Sequence, residues 1–250
     1  MPDAEPQPSR RRLWVLAGFC VSLFFLFGWF DQSIEQTLEV DASIRLVIIS
    51  DAGPVEVSSI EAGQPTAVTR NDSWLFSEPQ FETMESAGET VVRVTCPGRF
   101  PCRSALRVEV PVGVEVVVVA TTGVVDVQNH SGSLLVYSSA SEGVVLGPVG
   151  GSARIVSRGG PISGFHLTLD DLELEADQSP VRVSFSKSPT SVRVSGSEEL
   201  VQIALPQRFY RVDIEAGSAS VEVGVNQSIN SDRAIEVVSK GPVQVVVSDE

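Results

Sequence analysis

The chain has 250 residues and a formal net charge of -14. Residues 1–30 carry a small positive balance, so the acidity belongs to the remainder, and no basic stripe is present that a nucleic acid could follow. The same acidity argues against electrostatic attachment of that remainder to anionic lipid and for a soluble, self-repelling surface.

The first twelve residues end in Arg10, Arg11 and Arg12, too short a segment to fold by itself. Directly behind them Leu13 to Phe30 form an uncharged apolar run of 18 residues. A helix of that length rises about 27 Å, close to the roughly 30 Å of a bilayer core. The arginines keep their side in the cytoplasm, so the spacing predicts a single-pass cell-membrane anchor with everything from Asp31 outside. A cleaved signal peptide is the alternative. Its apolar stretch is shorter, though, and needs small residues at the cleavage site, where this chain has Gly28-Trp29-Phe30-Asp31-Gln32. Cys20 lies inside the run as a small apolar filler. Residues 31–40 are expected to form a stalk, and 41–250 the extracytoplasmic domain.

From Ser43 onward short runs alternate apolar and polar residues, as in Leu106 to Val110, Val181 to Phe185 and Val221 to Val225. Strict alternation with β-branched residues marks half-buried strands, and Gly, Pro, Ser and Asn clusters between them supply turns. The domain is predicted to be all-β. Residues Ile60 to Thr90 break the rhythm with Trp74, Phe76, Phe81 and Met84, either as a cap over an open end or as a long loop packed on one side.

Cys96 and Cys102 bracket the turn-rich Pro97 to Pro101. Export permits oxidation, and a turn can bring the thiols together, so a structural disulfide is expected, worth roughly 2 kcal/mol on the chain-entropy estimate. Zinc is the rival, but no C-x-x-C pair exists, and His130 and His166 are distant in sequence.

Apolar residues recur at Val125, Val145, Phe165, Val183, Ile203, Val223 and Val243, at intervals of 20, 20, 18, 20, 20 and 20. A second series holds Val136, Ile155, Leu174, Val194, Ile214 and Ile235 at intervals of 19 to 21. Two strands per turn of about 20 residues predict a right-handed-type β-solenoid, in which each coil buries its inward face only against its neighbours. Glycine-led units at Gly123, Gly132, Gly160 and Gly217 fit the pattern. An antiparallel β-sandwich is the alternative, since its hairpins also place strands every 8–12 residues.

Asp171, Glu173, Glu175 and Asp177 fall on one face of a predicted strand, opposite Leu172, Leu174 and Ala176. Four carboxylates in a row could hold Ca²⁺ or a basic partner. Same-face neighbours lie about 7 Å apart, however, too far for all four to share one ion. Arg154 or Arg158 before and Arg182 after could neutralise a solvated wall. His130 and His166 sit in turn-like surroundings with no nucleophile motif, and they read as loop or surface residues. No cofactor is implied. Asn71, Asn129 and Asn226 match N-x-[ST].

The unit Ser50 to Val57, the Cys96 to Cys102 insert, the run Leu106 to Val114 and the successive G-x-V-x-V units resemble the bacterial adhesin-like β-solenoid family. The resemblance spans about Thr37 to the C-terminus. It implies a membrane-anchored, adhesin-like protein and supplies no catalytic residues. The resulting expectation is an envelope-anchored, non-enzymatic binding or scaffold protein that contacts an envelope polymer or a surface protein. The alternatives are an enzyme acting on envelope polysaccharide and an accessory to envelope-stress signalling.

Overall fold

The computed structural model describes residues 32–40, 44–74, 76–86, 88–98 and 102–248. The predicted tail and the Leu13–Phe30 anchor lie outside the described residues. Among the described residues the protein is all-β, and no helix is long and apolar enough to cross a membrane.

The first strands are β1 (Gln32–Val40), β2 (Arg45–Ser50), β3 (Val55–Ile60), β4 (Thr66–Trp74), β5 (Gln80–Ser86), β6 (Glu89–Thr95) and β7 (Cys102–Pro111). The middle of the chain gives β8 (Glu115–Ala120), β9 (Val125–Gln128), β10 (Ser133–Ser138), β11 (Val144–Leu146), β12 (Gly150–Ser157), β13 (Ile162–Ala176) and β14 (Val181–Phe185). The last strands are β15 (Ser191–Ser195), β16 (Val201–Leu205), β17 (Phe209–Glu215), β18 (Val221–Val223), β19 (Asn226–Gln227), β20 (Ala234–Val238) and β21 (Val243–Val247). Gln32–Val40, expected as a stalk, is thus a strand. It pairs antiparallel with β4 along its whole length.

The strands form two ladders joined through β13. One runs β1-β4-β7-β3-β9-β11-β13-β14-β16-β21-β18. The other runs β5-β6-β2-β8-β10-β12-β13-β15-β20-β17. Among the described residues antiparallel pairing is confined to β1–β4, β4–β7 and β5–β6, and the other pairings are parallel, which an antiparallel sandwich does not contain. Through the middle of the chain consecutive strands alternate between the ladders, so each successive pair adds one step to both. Inward residues of both ladders, nearly all Val, Leu and Ile, belong to a single apolar cluster. Fully burying one such side chain contributes about 1.5–3 kcal/mol, and that repeated gain drives the stacking.

The second apolar series holds its register. Val136, Ile155, Leu174 and Val194 pair in turn, followed by Val237 and Ile214. Val237 therefore replaces Ile235, which pairs with Val192 one row away. The first series needs correction. Val183 and Ile203 pair as expected, but Val145 stands opposite Asp126 and Ser163 on the outer face, and Phe165 is 52% exposed. The inward row from Val125 continues through Val144 and Ile162, which puts Val145 one residue out of step, and Phe165 follows the inward Gly164 at the β13 bulge, where His166 takes φ +53 and the strand passes from one ladder to the other. Stacking order also departs from chain order at both ends. The β2/β3 step lies inside β6/β7, and the C-terminal β20/β21 step lies inside β17/β18.

The corners between ladders need small residues. Ser50, Ala120, Ser138, Ser157 and Ala176 stack in one buried row. The Ser157 hydroxyl donates to the Gly160 carbonyl at 2.7 Å, and the Ser50 hydroxyl donates to that of Gly53 at 3.3 Å. At the opposite edge of one such corner Gly143 has φ +83, and a Cβ there would lie 2.1 Å from the Pro161 carbonyl oxygen. Both the backbone and the neighbouring step exclude a larger residue at that position.

Candidate functional site

The outer face of the second ladder is built by alternation. With Leu172, Leu174 and Ala176 turned into the core, Asp171, Glu173 and Glu175 must point outward. Parallel register then fixes their neighbours, with adjacent strands about 4.8 Å apart. One row reads Ser133, Ser152, Asp171 and Ser191. The next reads Leu135, Arg154, Glu173, Arg193 and Glu236.

Charges in the second row neutralise one another. Arg154 Nη1 lies 3.6 Å from Glu173 Oε2, and Arg193 Nε lies 2.8 Å from Glu236 Oε2. The hydrogen bond and charge of Glu236 raise the Arg193 pKa above its ordinary value, and Arg193 lowers that of Glu236 in return. Farther along the same wall Arg45 bridges Glu89 at 3.5 Å and Glu115 at 3.6 Å. The wall is therefore a cross-strand charge ladder, which opposite-charge neighbours favour by a few tenths of a kcal/mol to about 1 kcal/mol each.

Asp171 differs, because serines rather than arginines flank it. It lies in a shallow trough of about 360 Å³ that Glu115, Ser133, Ser152, Arg154, Glu173, Ser191 and Arg193 also line. Of the four predicted carboxylates the trough gathers Asp171 and Glu173. Glu175 is outside it, and Asp177 follows the end of β13. Arg182, expected beside this acidic face, belongs to the other ladder opposite Ser163, and Arg193 takes its place. Among the described residues no group of three or more His, Cys, Asp or Glu side chains is placed to hold a metal ion.

Cys96 and Cys102 form the expected disulfide, with their Cα atoms 5.7 Å apart, tying the end of β6 to the start of β7. His166 is exposed at the β13 bulge. His130 is not a surface residue. It is 1% exposed, its Nδ1 lies 3.2 Å from Ser59 Oγ, and its Nε2 has no hydrogen-bond partner among the described residues. Burial lowers its pKa below the ordinary 6.5, and the Ser133 backbone offsets this in part. The polar run Asn129-His130-Ser131-Gly132 concealed it, because the ring folds back under the β9–β10 turn, where Asn129 takes φ +54. Asn71, Asn129 and Asn226 are exposed.

No family model matches the chain, and no curated protein does. Solved structures resemble it in fold. A protein of Bacteroides fragilis provisionally assigned as an adhesin superposes with a TM-score of 0.56 at 10% identity, over 87% of this chain and 97% of that one. A provisionally assigned adhesin of Parabacteroides distasonis gives 0.45 at 10% identity, over 86% and 97% of the two chains. A provisionally assigned cell adhesion protein of Clostridium sporogenes gives 0.40 at 12% identity, over 87% and 100%. At such identities the likeness shows the fold alone, and of these three the Bacteroides fragilis structure is the one similar enough to carry it.

Proposed function

We propose that the chain is an adhesin-like, non-enzymatic binding or scaffold protein of the cell envelope. In this reading Leu13–Phe30 hold it in the membrane with its N-terminus in the cytoplasm, and its parallel ladders form a β-solenoid with one strand of each ladder per coil. Parallel partners that recur at the repeat interval of the sequence support the solenoid, as in Val144 with Ile162 and Val181 with Val201. The names of the structural neighbours agree with a surface-binding role.

The observation that carries the proposal is the trough on the second ladder. Its floor is a row of hydroxyls and one carboxylate, repeated about every 4.8 Å along the stacking direction. Such a row suits the repeating hydroxyls of an extended envelope polymer. Each hydrogen bond would contribute only about 0.5–1.5 kcal/mol net, so affinity would come from many weak contacts. Glycoside hydrolysis needs two carboxylates flanking the scissile bond. Asp171 and Glu173 instead lie side by side on the floor of an open trough, and Glu173 is engaged by Arg154.

The test is binding of the detergent-solubilised full chain to purified envelope polysaccharides. Saturable binding that Ser152→Ala with Asp171→Ala removes, without new reducing ends, is expected. Binding that survives both changes would place the ligand elsewhere, and release of reducing ends would make the protein an enzyme. Protease added to intact cells should remove the domain and spare the tail if the anchor reading holds.

A further inference from the structure

The two ends of the stack differ. At one end β1, β4 and β5 fold antiparallel over the last parallel strands, with Arg70, Asp72 and Trp74 turned inward and Arg70 against the Phe81 ring. At the other, β17 and β18 have no such cover among the described residues. In the step beneath, Ile235, Val237, Val243 and Val245 are at most 1% exposed. Their partners in the final step, Val212, Ile214 and Val223, are only partly buried, and Val221 is 48% exposed. Among the described residues β18 pairs on one side only, with β21.

Backbone direction shows which edge is open. The Arg211 N–H donates to Arg233 and the Glu215 carbonyl accepts from Ser239, so the odd residues of β17 bond toward β20. Alternation turns the N–H and C=O groups of Val212 and Ile214 to the opposite, outer edge. An edge carrying apolar residues is a template for another strand.

We infer that this end face binds a second copy of the chain end to end, across a two-fold axis. The inference rests on the adhesin reading above and names its partner. A two-fold perpendicular to the ladders brings β17 against its copy antiparallel and covers Val212, Ile214, Val221 and Val223 of both chains. β19, paired with Phe209 and Tyr210, ends the free edge there, so the incoming strand must run out at Glu215 opposite Arg211. That register pairs Val212 with the partner's Ile214 through backbone hydrogen bonds, and Arg211 with the partner's Glu215, twice by symmetry. Neither Arg211 nor Glu215 makes an ion pair with a described residue of its own chain. Asp213 meets its own copy on the axis, diagonal to both arginines. The contact closes on itself because the opposite end is capped, so it yields pairs rather than fibres. In the pair the two β1 strands lie at opposite ends, the arrangement needed to join two apposed membranes if each chain is anchored ahead of Gln32.

The register gives a direct test in the full chain carrying Cys20→Ser, which leaves only the disulfide cysteines. Residues facing each other at a non-hydrogen-bonded antiparallel site have Cα atoms about 4.5 Å apart, within disulfide reach. Asp213→Cys should therefore give a covalent dimer on mild oxidation, and Arg193→Cys, on the trough wall, should not. Adding Arg211→Glu should cut the dimer yield several-fold, and adding Glu215→Arg to that variant should restore it. A monomeric Asp213→Cys chain, equal crosslinking at position 193, or a charge swap without rescue would overturn the inference. Vesicles bearing the full chain should also cluster, and Arg211→Glu should disperse them. Crosslinking without clustering would sink the adhesion reading while leaving the dimer, and clustering without crosslinking would assign the end face to a different partner.

Discussion

Arg70 and Asp72, two residues apart on β4, form an ion pair inside the protein, with Arg70 Nη1 3.2 Å from Asp72 Oδ2 and the Asp72 side chain 0% exposed. Ser104 donates its hydroxyl to Asp72 Oδ1, Gln36 accepts from the Arg70 guanidinium, and the Phe81 ring centroid lies 5.1 Å from Arg70 Cζ. The pair holds β1, β4, β5 and β7 together over the capped end of the stack.

Removing one partner of such a pair leaves a buried charge without compensation. Asp72→Ala should lower stability by about 3–5 kcal/mol in a urea titration. The double change Arg70→Met with Asp72→Leu should recover most of that loss, because two apolar side chains carry no desolvation cost. A single variant within about 0.5 kcal/mol of wild type would mean that the cap does not depend on the pair.

His130 makes stability depend on pH. Burial holds its folded pKa below 6.5, so the neutral ring is the one that packs. Above the unfolded value of about 6.5 neither state is protonated there, and the contribution is fully present. As pH falls below that value the unfolded chain takes up the proton first, and stability declines until pH passes the folded pKa. The urea midpoint should drop between pH 7.5 and 5.5, and His130→Gln, which keeps a polar group for Ser59, should flatten that part of the slope. An unchanged slope in the variant would assign the pH dependence to other groups.

The alternation that predicted strands was legible where inward Val, Leu or Ile alternate with outward polar residues, as in Val181 to Ser184. Register was legible where the repeat is uniform, hence the success at Val136, Ile155, Leu174 and Val194. It failed at Val145 and Phe165 because the true partners of Val125 are Val144 and Ile162, so the coils there are shorter than the 20 residues that the apolar series suggested. Stacking order was not legible. Val223 and Val245 both fit against Ile203 by hydrophobic pattern alone, and only the three-dimensional path selects Val245. The acidic strand was found from its alternation and so was Arg154 before it, but the arginine on its other side is Arg193, one strand beyond the expected Arg182, a distinction that spacing does not carry.

The core assignment has a paired test. Val183 is 3% exposed against Ile203, and its neighbour Arg182 points to solvent. Val183→Asp should cost about 3 kcal/mol or more, since the carboxylate would have no buried partner. Arg182→Asp should stay within about 0.5 kcal/mol, as surface changes do. Equal thermal stability of the two variants would invert the assigned faces.

Calcium is the remaining question for the acidic strand. Glu173 is engaged by Arg154, and Glu175 stands about 7 Å along the strand from it, too far for both to converge on one ion without rearrangement. Glu173→Gln with Glu175→Gln preserves shape and removes two charges. Calorimetric titration of Ca²⁺ into wild type and variant should give no saturable heat in either. Melting temperatures should also be insensitive to the ion, because a ligand raises apparent stability only when it binds the native state. The variant itself should lose at most about 1 kcal/mol, the usual worth of exposed ion pairs. A calcium-dependent rise in melting temperature that the double change abolishes would turn this wall into a metal-dependent binding site and displace the polymer reading.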